Sequence, residues 1–364
     1  MKSNSLSFRT RSPVKQRLIL DQLRHAIVSG KLPAGSQLPT RPELEAEFQV
    51  SSNTLQRAMD RLTAEGFIYG KGTIGTFVSS SPPFVSNYGI VFPYVNSEKN
   101  RWNRFWVALK NEAERFGQAA GAQQKVSIYY SDNARSDSEE YQRLLRHIRD
   151  HRVAGLVILG PVAMYERSPV IETPGLPVVA LGGLGELVPT LQFAPFADRA
   201  LDYLASRGRR KVAFVTSAGE LASPQCASNW INLVQARGMM TDDRWIHGAD
   251  IRNPVVVQNL VHLLMSSSQP DRPDGIVIGD DNLVEYAAAG LVKAGIQVPV
   301  EADVVAHCNF PWPTPSVLPM KRLGYDVREC LQIFMKMINH RRSGEPFSPS
   351  PLPARMEDEI SYLP

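Results

Sequence analysis

The sequence predicts a small α+β head, made of three helices and a hairpin, joined by a short polar segment to a larger α/β body of two lobes. Three observations predict it. A chain of 364 residues exceeds one ordinary domain, for which roughly 100–200 residues is usual. Charge is uneven: residues 1–80 carry 11 Lys and Arg against 6 Asp and Glu, whereas the remaining 284 hold 29 against 30. The hydrophobic period also changes after Val78, from helical spacing to apolar strands alternating with amphipathic helices.

An apolar content of 43% and a charged content of 21% are those of a globular protein with real cores. A basic head on a near-neutral body points to a polyanion as partner of the head alone. Cys226, Cys308 and Cys330 are odd in number, far apart and without Cys-x-x-Cys spacing. That argues against a disulfide framework or zinc ribbon and suits a reducing compartment. The opening MKSNSLSFRTRSP lacks an apolar core, and no run approaches the ~18 apolar residues of a membrane span. The expectation is a cytoplasmic protein without membrane contact.

In the head, residues 1–12 read as a polar arm. From Val14 to Gly30, Ile19, Leu20, Leu23 and Ile27 mark one buried helical face, and Gly30 stops it. Thr40-Arg41-Pro42-Glu43 is a capping box with a proline in the first turn, opening a helix over Arg41–Phe48. Gln49-Val50 turns the chain, and Ser51 caps a third helix whose core face is Leu55, Ala58, Met59 and Leu62. Asn53, Gln56, Arg57 and Asp60 project the other way. Glu65-Gly66 ends this helix, and two short strands around Gly70-Lys71-Gly72 and Gly75 form a hairpin.

Two helices at this spacing suit a helix-turn-helix, whose second helix lies in the major groove. Asn and Gln can pair with adenine edges and Arg with guanine, while Ser51, Ser52 and the helix N-terminus suit phosphate oxygens. The spacing alone also fits a solvated helix of an ordinary helical domain. The hairpin directly after the third helix favours a winged helix-turn-helix, with Lys71, Thr73 and Gly75 at the wing tip. The DNA-binding candidates are therefore Thr40, Arg41, Ser51, Ser52, Asn53, Thr54, Gln56, Arg57, Lys71, Thr73 and Gly75.

Residues 14–78 resemble the N-terminal domain of the GntR family of bacterial transcription regulators. The resemblance rests on Pro33-x-Gly35, Leu38-Pro39-Thr40, Glu43-Leu44, Val50-Ser51, Thr54-Leu55, Ala58-Met59, Leu62, Glu65-Gly66-Phe67-Ile68 and Gly75-Thr76-Phe77-Val78. It implies an operator-binding regulator. The family usually carries three arginines on its DNA face; here Pro42, Ser52 and Gln56 stand there, with Arg41 and Arg57 one residue away.

Ser79-Ser80-Ser81-Pro82-Pro83 has the composition of a semi-rigid spacer, so the expected boundaries are a head over 1–78, a linker over 79–87 and a body over 88–364. In the body, strands are expected at Tyr88–Tyr94, Val126–Tyr130, Ala154–Leu159, Leu176–Leu181, Lys211–Thr216, Gly275–Gly279 and Asp303–His307. Helices are expected at Arg101–Ala120, Ser138–His151, Phe196–Arg207, Ser228–Arg237, Pro254–Met265 and Leu283–Ala294. Apolar strands separated by helices mean parallel sheet covered on both faces, here as two doubly wound lobes. Ligands in such folds bind off the carboxyl ends of the strands.

The body resembles the periplasmic-binding-protein-like effector domain of LacI/GalR-type regulators. Its best pieces are Arg209-Arg210-Lys211-Val212-Ala213-Phe214-Val215, Arg272-Pro273-Asp274-Gly275-Ile276 and Ala294-Gly295-Ile296-Gln297-Val298-Pro299. In that family a strand ends in Asn-Asp and the Asp meets a sugar hydroxyl, a position held here by Asp280-Asp281. The resemblance makes Asp281 the leading ligand contact, and a helix cap at Asp281 or Asn282 fits the same spacing. Other family positions differ: Ser223-Pro224-Gln225-Cys226 replaces an arginine region, and Ala306-His307-Cys308-Asn309 and Ala194-Pro195 stand where aspartates are expected. The loop from Tyr94 to Trp106 is aromatic and suits sugar stacking, although Phe105 and Trp106 at a helix start more often belong to a core. The ligand candidates are Asp281, Asp280, Tyr94, Trp102 and Phe105.

Asp280, Asp281, His307 and Cys308 raise the alternative of a cleft-based enzyme, but no nucleophile elbow or phosphate loop accompanies them, and adjacent strand residues point to opposite faces. A solute-binding protein of the same fold is the other alternative, disfavoured by the wing and the polar start. The expected function is a ligand-responsive, homodimeric DNA-binding repressor, with operator DNA and a small molecule, a sugar among the choices, as partners. Neither cofactor nor metal is expected.

Overall fold

A computed structural model of the chain describes residues 12–93, 103–119, 124–131, 133–134, 137–181 and 187–361. The polar arm, Tyr94, Trp102 and the rest of the loop before Asn103 lie outside them.

The head comprises α1 (Ser12–Val28), α2 (Arg41–Phe48), α3 (Ser52–Glu65), β1 (Ile68–Gly70) and β2 (Thr76–Val78). Its core is the set the periodicity singles out, Ile19, Leu20, Leu23, Ile27, Leu55, Ala58, Met59 and Leu62, closed by Leu38, Leu44, Phe67, Ile68 and Val78. Gly66 ends α3 with φ +84°, a left-handed conformation that glycine adopts without a Cβ penalty. The hairpin gains a third edge, which the sequence did not suggest. The amides of Gly35 and Leu38 donate to the carbonyls of Val78 and Thr76 at 3.1 and 2.8 Å, tying the segment before α2 to β2.

The joint is folded, in contrast to the spacer its composition suggests. Pro83–Ser86 forms α4, the Ser86 hydroxyl donates to the carbonyls of Ser81 and Pro82, and Phe84 packs against the head's core. Proline at the first helical position tolerates its missing N–H, so the same residues that stiffen a spacer also start a helix.

In the body the elements run β3 (Asn87–Phe92), α5 (Arg104–Ala119), β4 (Lys125–Tyr130), α6 (Glu139–Arg149), β5 (Gly155–Ile158), α7 (Pro169–Glu172), β6 (Val178–Leu181), β7 (Thr190–Leu191), α8 (Phe196–Ser206), β8 (Val212–Ser217), α9 (Ala218–Leu221), α10 (Pro224–Ala236), β9 (Ile246–Ala249), α11 (Val255–Leu264), β10 (Gly275–Ile278), α12 (Val284–Lys293), β11 (Asp303–Phe310), β12 (Lys321–Asp326), α13 (Val327–Ser343) and β13 (Arg355–Met356). By packing, the chain falls into two compact units. One is Met1–Tyr94, Arg115–Pro189 and Ile338–Pro346, so the head shares it with the first lobe; the other is Val95–Glu114, Thr190–Met337 and Phe347–Pro364.

The first unit's lobe is a parallel sheet in the order β4-β3-β5-β6. The second unit's sheet runs β13-β12-β11-β10-β8-β9, parallel except for β13. Seven elements of the body escaped the periodicity: α7, β7, α9, β9, β12, α13 and β13. β12 reads Lys-Arg-Leu-Gly-Tyr-Asp, without an apolar run, and gains its place by pairing with β11. Gly324 allows that pairing, because a Cβ there would lie 1.7 Å from the Cys308 carbonyl oxygen.

The motifs that carry the LacI/GalR resemblance are structural staples of this second sheet. Asp274 accepts the amides of Arg210 and Lys211 at 2.9 and 2.8 Å. Arg209 donates to the buried Asp303 at 2.6 Å and to the carbonyl of Pro299. Their spacing is thus a property of the fold, apart from any ligand.

Candidate nucleic-acid interface and effector site

Two features aim α3. Gln49, with φ 50° and ψ 53°, makes the left-handed turn that ends α2, and the Lys15 ammonium donates to its carbonyl at 3.0 Å. Glu43 accepts from the Thr40 amide and hydroxyl at 2.7 and 2.8 Å, which holds its carboxyl below the usual range. The start of α2 is therefore pinned, and the capping box extends to the Thr40 hydroxyl.

Of the DNA candidates, Thr40, Arg41, Ser51, Ser52, Asn53, Arg57, Lys71 and Thr73 are exposed, and Thr54 and Gln56 are half-buried. Ser51 and Thr54 share a hydroxyl contact of 3.1 Å across the first turn. The Gln56 amide donates to Asp60 at 2.5 Å, so its carbonyl oxygen is left to accept from a base amino group. Asp60 thereby orients the glutamine, a role the sequence alone does not reveal because it depends on a rotamer. Gly75 is different. It has φ +134°, and a Cβ there would meet the Gln37 amide nitrogen at 2.6 Å. It therefore fixes the conformation of the wing whose tip it shares with Lys71 and Thr73. The head also has a groove of about 800 Å³ between α1 and α2, lined among others by Asp21, His25, Leu32, Glu47 and Phe48; none of the DNA candidates lines it.

In the second unit, polar groups gather at the carboxyl ends of β8, β10 and β11. Asp281 is 3% exposed and accepts from the Asn309 amide at 2.6 Å, while Thr314 donates to its carbonyl at 3.3 Å. Burial, seconded by neighbouring Asp280, pushes the Asp281 carboxyl up to about 7, against the pull of the Asn309 hydrogen bond. The helix cap expected at Asp281 or Asn282 falls instead at Leu283, without a side-chain bond; Asp280 closes the turn before it, accepting from the Asn282 amide and side chain at 2.9 and 2.7 Å. Asn282 in turn accepts from the Arg104 amide at 3.1 Å, fixing the start of α5.

Phe105 packs edge-on against Phe193 at 5.7 Å, and Phe193 meets Tyr325 at 4.5 Å. Phe105 is half-buried, leaning on this aromatic group while part of its surface stays exposed. His307 lies between Phe196 and Tyr325, at 5.4 and 5.6 Å, and burial lowers its pKa against the pull of Asp280 and Glu220. Cys308, on the other face of β11, packs with Phe310 and Ile360, and burial drives its thiol up to about 12. The two side chains form no dyad.

Five buried polar atoms in this unit lack a partner among the described residues, Trp230 Nε1, Thr241 Oγ1, His262 Nδ1, His307 Nδ1 and Asn309 Oδ1, and the last two belong to β11. Orphaned buried groups are rare in native proteins, and at strand carboxyl ends a polar ligand is the natural partner. The sequence singled out Asp281 but missed Asn309, its partner, because their pairing depends on β10 and β11 being neighbours. Among the described residues, no cluster of three metal-ligating side chains occurs, and no helix is long and apolar enough to cross a membrane.

Comparison with known proteins agrees with both parts. Residues 15–78 match the family described as bacterial regulatory proteins, gntR family, and residues 201–351 the periplasmic binding protein-like domain. The chain is 22% identical over 315 residues to the arabinose metabolism transcriptional repressor of Halalkalibacterium halodurans, covering 80% of each. It is 20% identical over 343 residues to the protein of the same name from Geobacillus stearothermophilus, covering 86% of this chain and 88% of that one. Among solved structures, a LacI family transcriptional regulator from Lactobacillus casei with bound sucrose aligns with a TM-score of 0.53 at 18% identity, over 75% of this chain and 98% of that one. A LacI regulator from a Rhodococcus species aligns with a TM-score of 0.54 at 16% identity, over 74% and 96%. At such identities the structural likeness shows the fold alone.

Proposed function

We propose that this chain, which joins a GntR-type winged helix to a periplasmic-binding-protein-like body, is a ligand-responsive transcription regulator, a homodimeric repressor working in the cytoplasm. Residues 1–78 form its DNA-binding domain, 79–87 the joint and 88–364 the effector-binding body. The observation that carries the reading is the third helix, which buries Leu55, Ala58, Met59 and Leu62 and turns Ser52, Asn53 and Arg57 to solvent beside a wing. That is the geometry of a helix built for the major groove. The exposed hydroxyls Thr40, Ser51 and Ser52, with Lys71 and Thr73 on the wing, hold the phosphates, and Asn53, Gln56 and Arg57 read bases.

A dimer follows from recognition: one head reads few base pairs, and two read a pseudo-palindrome. The ligand is a small polar molecule contacted by Asp281, at the carboxyl ends of the second unit's strands. Relatives named for arabinose metabolism and a neighbour solved with sucrose make sugars the first class to test. Ligand changes operator affinity only through a differential preference for one conformation. The test is binding of the purified protein to DNA from upstream of its own gene. Tight binding that weakens steeply with salt and with Arg57→Ala is expected; binding no stronger than to random DNA at every salt overturns the reading.

A further inference from the structure

A chain of charges runs through the first unit from the head to the first lobe. Arg24 of α1, 3% exposed, donates to Glu65 at the end of α3 at 2.5 Å. It also lies 3.5 Å from Asp150, at the end of α6 in the lobe. Asp150 is paired with Arg149 at 2.9 Å. Glu65 is paired with Arg61 at 3.0 Å within α3 and with Arg152 of the lobe at 3.6 Å. Cations and anions therefore alternate across the contact, with the Glu65 and Asp150 side chains 5% and 6% exposed.

The surroundings hold this arrangement on both sides. In the head, Arg24 lies over the Phe67 ring at 5.8 Å. In the lobe, the turn after α6 is tight: the Arg152 amide donates to the His147 carbonyl at 2.8 Å, and the Asn87 side chain donates to the Arg152 carbonyl at 2.6 Å. His151 between them takes a left-handed φ of 52°. The joint reinforces the contact, since the Ser79 amide donates to the Phe67 carbonyl at 2.9 Å and Arg342 donates to the Val85 carbonyl at 3.2 Å. A buried ionic contact is a poor source of net stability, because desolvation cancels much of the attraction. Its charges must nonetheless be matched one to one, so it admits one docked orientation where an apolar patch would tolerate several.

We propose that the head is carried as a rigid extension of the first lobe, clamped by the Arg24–Glu65–Asp150–Arg152 relay, and that the first lobe thereby aims α3 at DNA. The clamp itself stands on geometry; its consequence for DNA rests on the regulator reading above. Signals from the body then reach DNA through the position of the first lobe, with the head docked throughout.

The test uses the full chain and two substitutions on the lobe side, Asp150→Ala with Arg152→Ala, which leave the Arg24–Glu65 pair of the head intact. Hydrogen exchange is followed in peptides covering 20–28 and 79–87. Slow exchange is expected in the wild type and at least tenfold faster exchange in the variant, with β3, β5 and β6 unchanged. Wild-type exchange in 79–87 at the rate of an unstructured chain, or equal rates in both proteins, overturns the clamp. Should the double variant fail to fold, Arg152→Gln alone provides the comparison, with a rise of about threefold expected; an unchanged rate again overturns the clamp. For the aiming role, affinity for upstream DNA carrying two half-sites should fall at least tenfold in the variant, and that for an isolated half-site stay the same. Unchanged two-site affinity with faster exchange overturns aiming alone. Absence of specific binding by the wild type overturns the regulator reading, and the exchange result still decides the clamp.

Discussion

Replacing Asp281 with asparagine should change how stability depends on pH more than it changes stability itself. The buried carboxyl titrates near 7 in the folded chain against an ordinary 3.8, so the folded state holds its proton more tightly than the unfolded state. For such a group the contribution is fully present below pH 3.8 and is lost as pH rises through about 7. With these two values, linkage gives a loss of roughly 3 kcal/mol between pH 5 and pH 8 from this residue alone. The side chain is 3% exposed, so solvent screening takes little from that figure. Asparagine keeps the shape and an oxygen to accept from the Asn309 amide, but it has no proton to lose. The variant's stability relative to wild type should therefore rise by roughly 3 kcal/mol from pH 5 to pH 8. Urea denaturation followed by tryptophan fluorescence, which Trp230, Trp245 and Trp312 supply from the same unit, measures the difference at each pH. Wild type and variant curves running parallel within about 0.5 kcal/mol across that range would refute the reasoning and place the Asp281 titration outside it.

Three further outcomes follow. Arg57→Ala should weaken operator binding by about 1–3 kcal/mol and relax preference at one base position, the mark of a bidentate guanine contact; an electrophoretic assay over single-base operator variants distinguishes this from a uniform loss at a phosphate. Gly75→Ala forces a left-handed φ and a 2.6 Å approach to Gln37, so the wing should lose about 1–3 kcal/mol, visible as a lower first transition in calorimetry with the later one unmoved. Arg209→Ala leaves Asp303, which is 2% exposed, with only Arg207 at 3.5 Å, at an expected cost of about 3 kcal/mol; the Asp303→Asn and Arg209→Met pair should recover most of it in the same melt.

Local chemistry made much of this protein readable from its residues. The i, i+3, i+4 spacing of Leu55, Ala58, Met59 and Leu62 dictates which face of α3 is buried, and hence that Asn53 and Arg57 are not. The Thr40–Glu43 box, the Gly66 stop and the apolar runs of β5, β8 and β10 are likewise decided by interactions within a few residues. What tertiary structure decided are pairings distant in sequence. β12 is a strand because β11 lies beside it, Asp281 is held by Asn309 from the next strand, and Phe105 meets the distant Phe193 ring. The joint over 79–87 shows the division most clearly. Its serines and prolines describe an isolated chain well, yet Phe84 finds the head's core, and Arg24 and Glu65 find Asp150 and Arg152. No periodicity records a contact between charges more than eighty residues apart, since only the folded chain brings them out of water together.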